Sequence, residues 1–122
     1  MPELFVDDFV QHGPQAGMEI QGLEGYEETL RMFHTAFSDL KSTEELIFSD
    51  EAGEYVCTVY TNRGTHDGEL MGIPPTNAQV AVPGIAVHRV KDHKLTEAWV
   101  AADFHGLLEQ IGAAPSPDEY AV

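Results

Sequence analysis

Basic residues are the scarcest class in this 122-residue sequence: six Lys and Arg stand against 21 Asp and Glu, a formal charge of -15. A field of that sign repels phosphate backbones and anionic lipid, so nucleic acid and membrane surfaces are excluded as expected partners. The one cysteine, Cys57, leaves no internal disulfide to form, and its apolar and β-branched neighbours make it a small core residue. No apolar run approaches the ~20 residues of a membrane helix. The start, "MPELFVDDF", has neither the basic region nor the long apolar stretch of a targeting signal. The expectation is a cytoplasmic protein. Its acids are spread along the chain, as on a solvated surface, and a salt-rich, halophilic cytoplasm that screens their repulsion suits them. No GxSxG is present. His12, His66, His88 and His105 show no HxH or HExxH spacing, so neither a metal nor any other cofactor is expected.

What is present fits one domain over residues 1–115, followed by an acidic tail over 116–122. Tyr26, Leu30, Phe33 and Phe37 recur at helical spacing behind Glu24, Glu27 and Glu28, which predicts an amphipathic helix with its acids at the favoured end. Four β-rich runs follow, "TEELIFS", "EYVCTVYTNRGTH", "QVAVPGIAVHRV" and "KLTEAWVAADF", with turn signals at Asp50–Gly53 and Lys91–His93. "HGLLEQIG" then reads as a short helix able to cover a sheet edge and stopped by Gly112. Helix first and strands after means α+β.

Alternation of strand side chains puts Tyr60, Asn62 and His66 on one face of their strand. If a tight turn at Lys91–His93 joins the last two strands, Val82, Ala86 and His88 stand opposite Asp103, Trp99 and Glu97 on that same face. The other face then carries Ile85, Val87, Arg89, Val100 and Ala102, apolar enough to predict burial against a second sheet and hence a homodimer. Two of these side chains have plain structural readings as well: Trp99 as core, and Asp103 as the cap of the helix starting near Phe104.

"VDDFVQHGP", "AFSDL", "RGTHDGELMGIPPTN", "VHRVKDHKLTEAW" and "WVAADFHGLLEQIG" run in order from Val6 to Gly112 and resemble the successive signature blocks of the SnoaL-like polyketide cyclases, of the NTF2-like superfamily. The resemblance implies a cone, in which a curved antiparallel sheet wraps around helices and leaves a deep apolar pocket. It implies that Asp103, four residues after the tryptophan, is the acid and base, that His12 and His66 are pocket histidines, and that "DGELMGIPPT" forms the lip. Trp99, Tyr60, Asn62, His88, Phe33 and Phe37 are the side chains expected to line the pocket. The family's N-terminal helix, which precedes the "DDFV" block, is expected to be absent from this chain. The chemistry needs no cofactor: an intramolecular aldol closure takes a proton from an activated carbon and delivers one to the carbonyl oxygen. An aspartate walled by apolar groups such as Trp99 is held nearer the pH at which it can do both. The expected ligand is a small apolar carbonyl compound. The same pocket also fits a non-catalytic binding module, or another NTF2-like isomerase or epoxide hydrolase.

Overall fold

The computed structural model describes residues 4–14 and 18–113, so the tail expected at 116–122 lies outside the described residues. The element order is β1 (Phe5–His12), β2 (Glu19–Gln21), α1 (Gly22–Ala36), β3 (Lys41–Ser49), β4 (Tyr55–Thr65), β5 (Gln79–Lys91), β6 (Lys94–Ala102) and α2 (Phe104–Gln110). All six strands form one sheet in the order β2-β1-β6-β5-β4-β3. The α+β expectation holds, with the helix and the four long strands where the sequence pattern put them.

The sheet is mixed rather than antiparallel throughout. β1, in the "VDDFVQH" block, was not among the expected strands and pairs parallel with β6. Its alternation is hidden because Phe5 and Phe9, four residues apart, are its two buried aromatics, and its register shifts between Phe5 and Val10. Both rings pack on Tyr26 of α1, at centroid distances of 5.3 and 5.1 Å, and this cluster holds the helix against the start of the sheet. Tyr26 ionises less readily than an ordinary tyrosine because it is buried there.

The β5–β6 hairpin corrects the face assignment. Asp92 and His93 both adopt positive φ, 51° and 65°, as a two-residue turn requires, and Lys91 pairs with Lys94 as expected. One step further, Val90 pairs with Leu95 but Arg89 pairs with Glu97, so Thr96 is the extra residue of a bulge. A shift of one residue turns over every side chain beyond it. Trp99 therefore stands opposite Val87, not Ala86, and Val100 opposite Ala86. Glu97 and Trp99 move to the outer face of the sheet, while Val100 and Ala102 move to the inner face that the helices cover.

α2 closes the sheet where β6 ends. Leu107 and Ile111 are buried with Val80, Val82, Phe37 and Leu70. The Gln110 side chain accepts from Ala81 N at 2.8 Å and donates to Ala81 O at 3.0 Å, satisfying the backbone edge β6 leaves open. The segment expected to form the lip, residues 67–76, is anchored rather than loose, though none of it lines the cavity described below. Leu70 is buried in this core, the Asp67 carboxylate accepts from Ser38 N at 3.0 Å and from the Ser38 hydroxyl, and Asp39 accepts from Thr65 N at 2.7 Å. Those bonds favour the ionised carboxylates and hold Asp39 and Asp67 below the ordinary aspartate range.

Candidate functional site

The inner face of the sheet and the two helices enclose a cavity of about 180 Å³. Leu30 and Phe33 of α1, with Phe37 just after it, form one wall; Val80, Val82, Val100 and Ala102 of β5 and β6 form another; Phe104 and Leu107 of α2 close an end. Tyr60 and Asn62 of β4 bring the polar side chains of this lining. The cavity is on the scale of the ~150 Å³ apolar cavities that take up one benzene ring.

Tyr60 is placed by a glycine. It pairs directly with Gly84 of β5, and a Cβ on Gly84 would lie 2.5 Å from both Cζ and Oη of the phenol. The ring lies across the bare backbone, a contact only glycine permits. Burial pushes the Tyr60 phenol up from its ordinary range, so it stays a neutral hydrogen-bond donor at neutral pH. Asn62, two residues on and on the same face, adds an amide. A carbonyl oxygen entering this apolar space would find those two groups to bond to.

Of the side chains singled out from sequence, Phe33, Phe37, Tyr60 and Asn62 come together around the cavity. Asp103 is not part of the lining, although Ala102 and Phe104 on either side of it in the chain both are. It is exposed and caps α2, its Oδ1 accepting from Gly106 N at 2.9 Å. The apolar wall expected around it is missing, because the bulge carries Trp99 to the opposite face.

The two histidines expected in the pocket lie elsewhere. His66 is fully buried outside the cavity lining, with Phe37 5.4 Å from its ring and Thr76 N donating to its Nδ1 at 3.3 Å. That bond places the proton on Nε2, which has no hydrogen-bond partner among the described residues. The backbone of His66 also donates to Ala78 and accepts from Asn77, so this residue pins the lip to the end of β4. His12 lies on the outer face, its Nε2 2.6 Å from Glu97 Oε2 and its Nδ1 3.2 Å from Glu19 Oε2, its ring stacked on Trp99 at 5.6 Å. The bond to Glu97 above all raises its pKa, aided by Glu19. With both nitrogens engaged, His12 ties β1 to β6 and β2. His88 faces inward, half-buried in the row of Val56 and Ala98 but outside the cavity lining, and burial lowers its pKa.

Sequence reasoning did not single out Gly84, Phe104 or Leu40 as site residues. Gly84 carried a readable signal, a glycine inside a β-branched strand and therefore a place where something approaches the backbone closely. Among the described residues no group of three His, Cys, Asp or Glu stands close enough to hold a metal ion. Among the described residues no helix is long and apolar enough to cross a membrane.

The chain is similar to known proteins. The family model for SnoaL-like polyketide cyclase matches residues 1–111. The nogalonic acid methyl ester cyclase of Streptomyces nogalater is 29% identical over 98 residues, 80% of this chain and 72% of that protein. The aklanonic acid methyl ester cyclase DnrD of Streptomyces peucetius is 27% identical over 110 residues, 89% of this chain and 72% of that protein. Among solved structures, IdmH from Streptomyces antibioticus superposes with a TM-score of 0.76 at 28% identity, over 91% of this chain and 84% of that one. A SnoaL-like protein from Jannaschia sp. CCS1 superposes with a TM-score of 0.82 at 21% identity, over 93% of this chain and 76% of that one, a likeness of fold.

Proposed function

The chain belongs to the SnoaL-like polyketide cyclase family, and from that premise we propose that it is a cofactor-free acid–base catalyst that closes a ring within a small, mostly apolar carbonyl compound. The observation that carries this reading is the apolar cavity with Tyr60 and Asn62 in its lining, two of whose other lining residues, Ala102 and Phe104, flank Asp103 in the chain. The step is an intramolecular aldol closure. Asp103 takes a proton from the carbon between two activating groups, and the carbon nucleophile so formed attacks a carbonyl carbon of the same molecule. The attacked oxygen receives the proton back as the ring alcohol, so no atom is gained or lost. Tyr60 and Asn62 donate hydrogen bonds to the oxygen on which charge develops. His66 contributes by fixing the lip, and His12 by joining strands.

The assay is cyclisation of aryl 1,3-dicarbonyl compounds bearing a second carbonyl, followed by chromatography, with nogalonic acid methyl ester included because it is named for a relative. Asp103→Asn is expected to lower turnover ~100- to 10,000-fold with ligand affinity unchanged. Full turnover by that variant would refute the acid–base role.

One observation favours a second reading. Among the described residues, no carboxylate or imidazole lines the cavity, as expected of a module that only binds its ligand. Tight binding of a small aromatic ketone, with no turnover of any compound in the panel, would establish that reading instead.

A further inference from the structure

The six basic side chains are not spread along the chain as the acids are. Lys41 and Arg63 line one groove, Arg89, Lys91 and Lys94 line another, and only Arg31 of α1 lines neither. At the β5–β6 turn the three bases share their groove with three acids, Asp8, Asp92 and Glu97, and Arg89 is paired with Glu54 at 3.1 Å. That surface is balanced. The groove at the junction of β3 and β4, of about 310 Å³, is not. Lys41 stands directly opposite Arg63, the cross-strand position at which like charges repel. Neither side chain has an ion pair or a hydrogen bond among the described residues, in a chain with 21 Asp and Glu. The one acid of this groove, Asp39, is held by Thr65: Oδ1 accepts from Thr65 N at 2.7 Å and Oδ2 from the Thr65 hydroxyl at 2.9 Å. Gln79, opposite Thr65 on β5, also lines the groove, and its side-chain amide makes no hydrogen bond among the described residues.

We propose that this groove is a binding site for the phosphate group of a small molecule, with Lys41, Arg63 and the Gln79 amide as its donors. Alternation along β4 puts Arg63 on the face of Cys57, whose partner Val87 stands opposite Trp99, so the site lies on the outer face of the sheet and is separate from the cavity. The donor set selects the ligand. The planar fork of Arg63 alone fills the two oxygens of a carboxylate, whereas a phosphate monoester offers a third oxygen and a second charge for the Lys41 ammonium and the Gln79 amide. An empty groove keeps two like charges side by side, and a dianion between them turns that repulsion into attraction. The charge of -15 sets the size of the ligand. A nucleic acid or an anionic membrane meets the acids all around, while a small phosphate in the groove senses mainly what lies within a Debye length of ~8–10 Å. Asp39 stays beside the site and offsets one of the two positive charges, which makes the binding modest.

The test is a titration of the isotope-labelled full chain with inorganic phosphate at about pH 7.5, where the dianion dominates, followed through the backbone amide resonances at a constant ionic strength of ~0.1 M. The Gly64, Thr65 and Gln79 amides are expected to shift saturably, with a Kd on the order of 1 mM. Lys41→Gln and Arg63→Gln, both at exposed positions, should stay folded by circular dichroism and weaken binding roughly 5-fold each. Lys91→Gln, in the balanced groove, should leave the Kd unchanged. Phenyl phosphate separates the two sources of the ligand: binding tighter than inorganic phosphate points to a phosphorylated organic molecule, weaker binding to the free ion, and either supports the site. Shifts that grow linearly with phosphate and never saturate overturn the proposal. So do saturable shifts that neither Lys41→Gln nor Arg63→Gln weakens, or acetate binding as tightly as phosphate.

Discussion

Adding one methyl group at Gly84 tests whether the cavity is built as described. The new Cβ would lie 2.5 Å from Tyr60 Cζ and Oη and 2.8 Å from Cε2, against a normal carbon contact of ~3.5–4.0 Å. The phenol must therefore retreat by roughly 1 Å, and the space open to it is the cavity of about 180 Å³. Overpacking of this kind costs ~1–3 kcal/mol, while replacing a strand glycine by alanine recovers ~0.5–1 kcal/mol of backbone entropy. Gly84→Ala should then destabilise by about 1–2 kcal/mol, a fall in Tm of roughly 3–10 °C for a domain of this size. Affinity for acetophenone, used as a neutral aromatic ketone probe and measured by titration calorimetry, should drop about tenfold because the ring now occupies ligand space. In a Tyr60→Leu background the clash has no partner, since leucine has no atom at the ζ position, and the same substitution should cost less than ~0.5 kcal/mol. A Gly84→Ala protein with unchanged Tm and unchanged probe affinity would show that the Tyr60 ring does not lie across β5.

Two further outcomes follow from charge. His12 has a folded-state pKa raised above 6.5 by Glu97 and Glu19, so the stability this pairing brings is full below about pH 6.5 and is lost as pH rises through the higher folded value. His88 is lowered by burial and has the opposite slope, so the His12 share is read from the difference between wild type and His12→Gln. The wild-type Tm should fall relative to the variant between pH 6 and 9; parallel curves would discount the pairing. The second outcome concerns salt: with a formal charge of -15, Tm should rise as KCl shortens the Debye length from ~10 Å at 0.1 M to ~3 Å at 1 M, and a flat response would remove the halophilic reading.

Periodicity carried much of the architecture because the features it reads are local. α1 shows its apolar stripe, β4 alternates cleanly through Tyr60 and Asn62, and Gly112, with φ of 79°, follows α2 as the expected stop. Three features were not legible in that way, each because a non-local partner decides it. β1 has no clean alternation, and its parallel partner β6 lies more than eighty residues away. The bulge at Thr96 leaves "KLTEAWV" looking like any regular strand, yet it decides that Trp99 faces outward and Val100 inward. His66 and Asn62 share the parity of β4, but the strand ends at Thr65, after which the backbone turns His66 into the core beneath the lip. The four side chains expected in a pocket that do line the cavity, Phe33, Phe37, Tyr60 and Asn62, all lie before the bulge in sequence.

Asp103 is asked to do two things, and Gly106 lets them be separated. The carboxylate caps α2 through Gly106 N, and a Cβ on Gly106 would lie 2.2 Å from Oδ2 and 2.6 Å from Cγ. Gly106→Ala therefore expels an intact carboxylate from its place, whereas Asp103→Asn keeps the place and removes the base. Loss of the cap costs ~0.5–2 kcal/mol, offset by the ~1 kcal/mol better helix propensity of alanine, so Gly106→Ala should change Tm only slightly. Asparagine caps as well as aspartate, so Asp103→Asn should leave Tm unchanged. If Asp103 is the base, both variants lose turnover, one because the proton acceptor is gone and the other because it is displaced from the capped position. If Asp103 is only a cap, neither variant loses turnover. A pair in which Asp103→Asn is inactive while Gly106→Ala is fully active would show that the capped position is not the working one, and the carboxylate would have to reach the cavity from another rotamer.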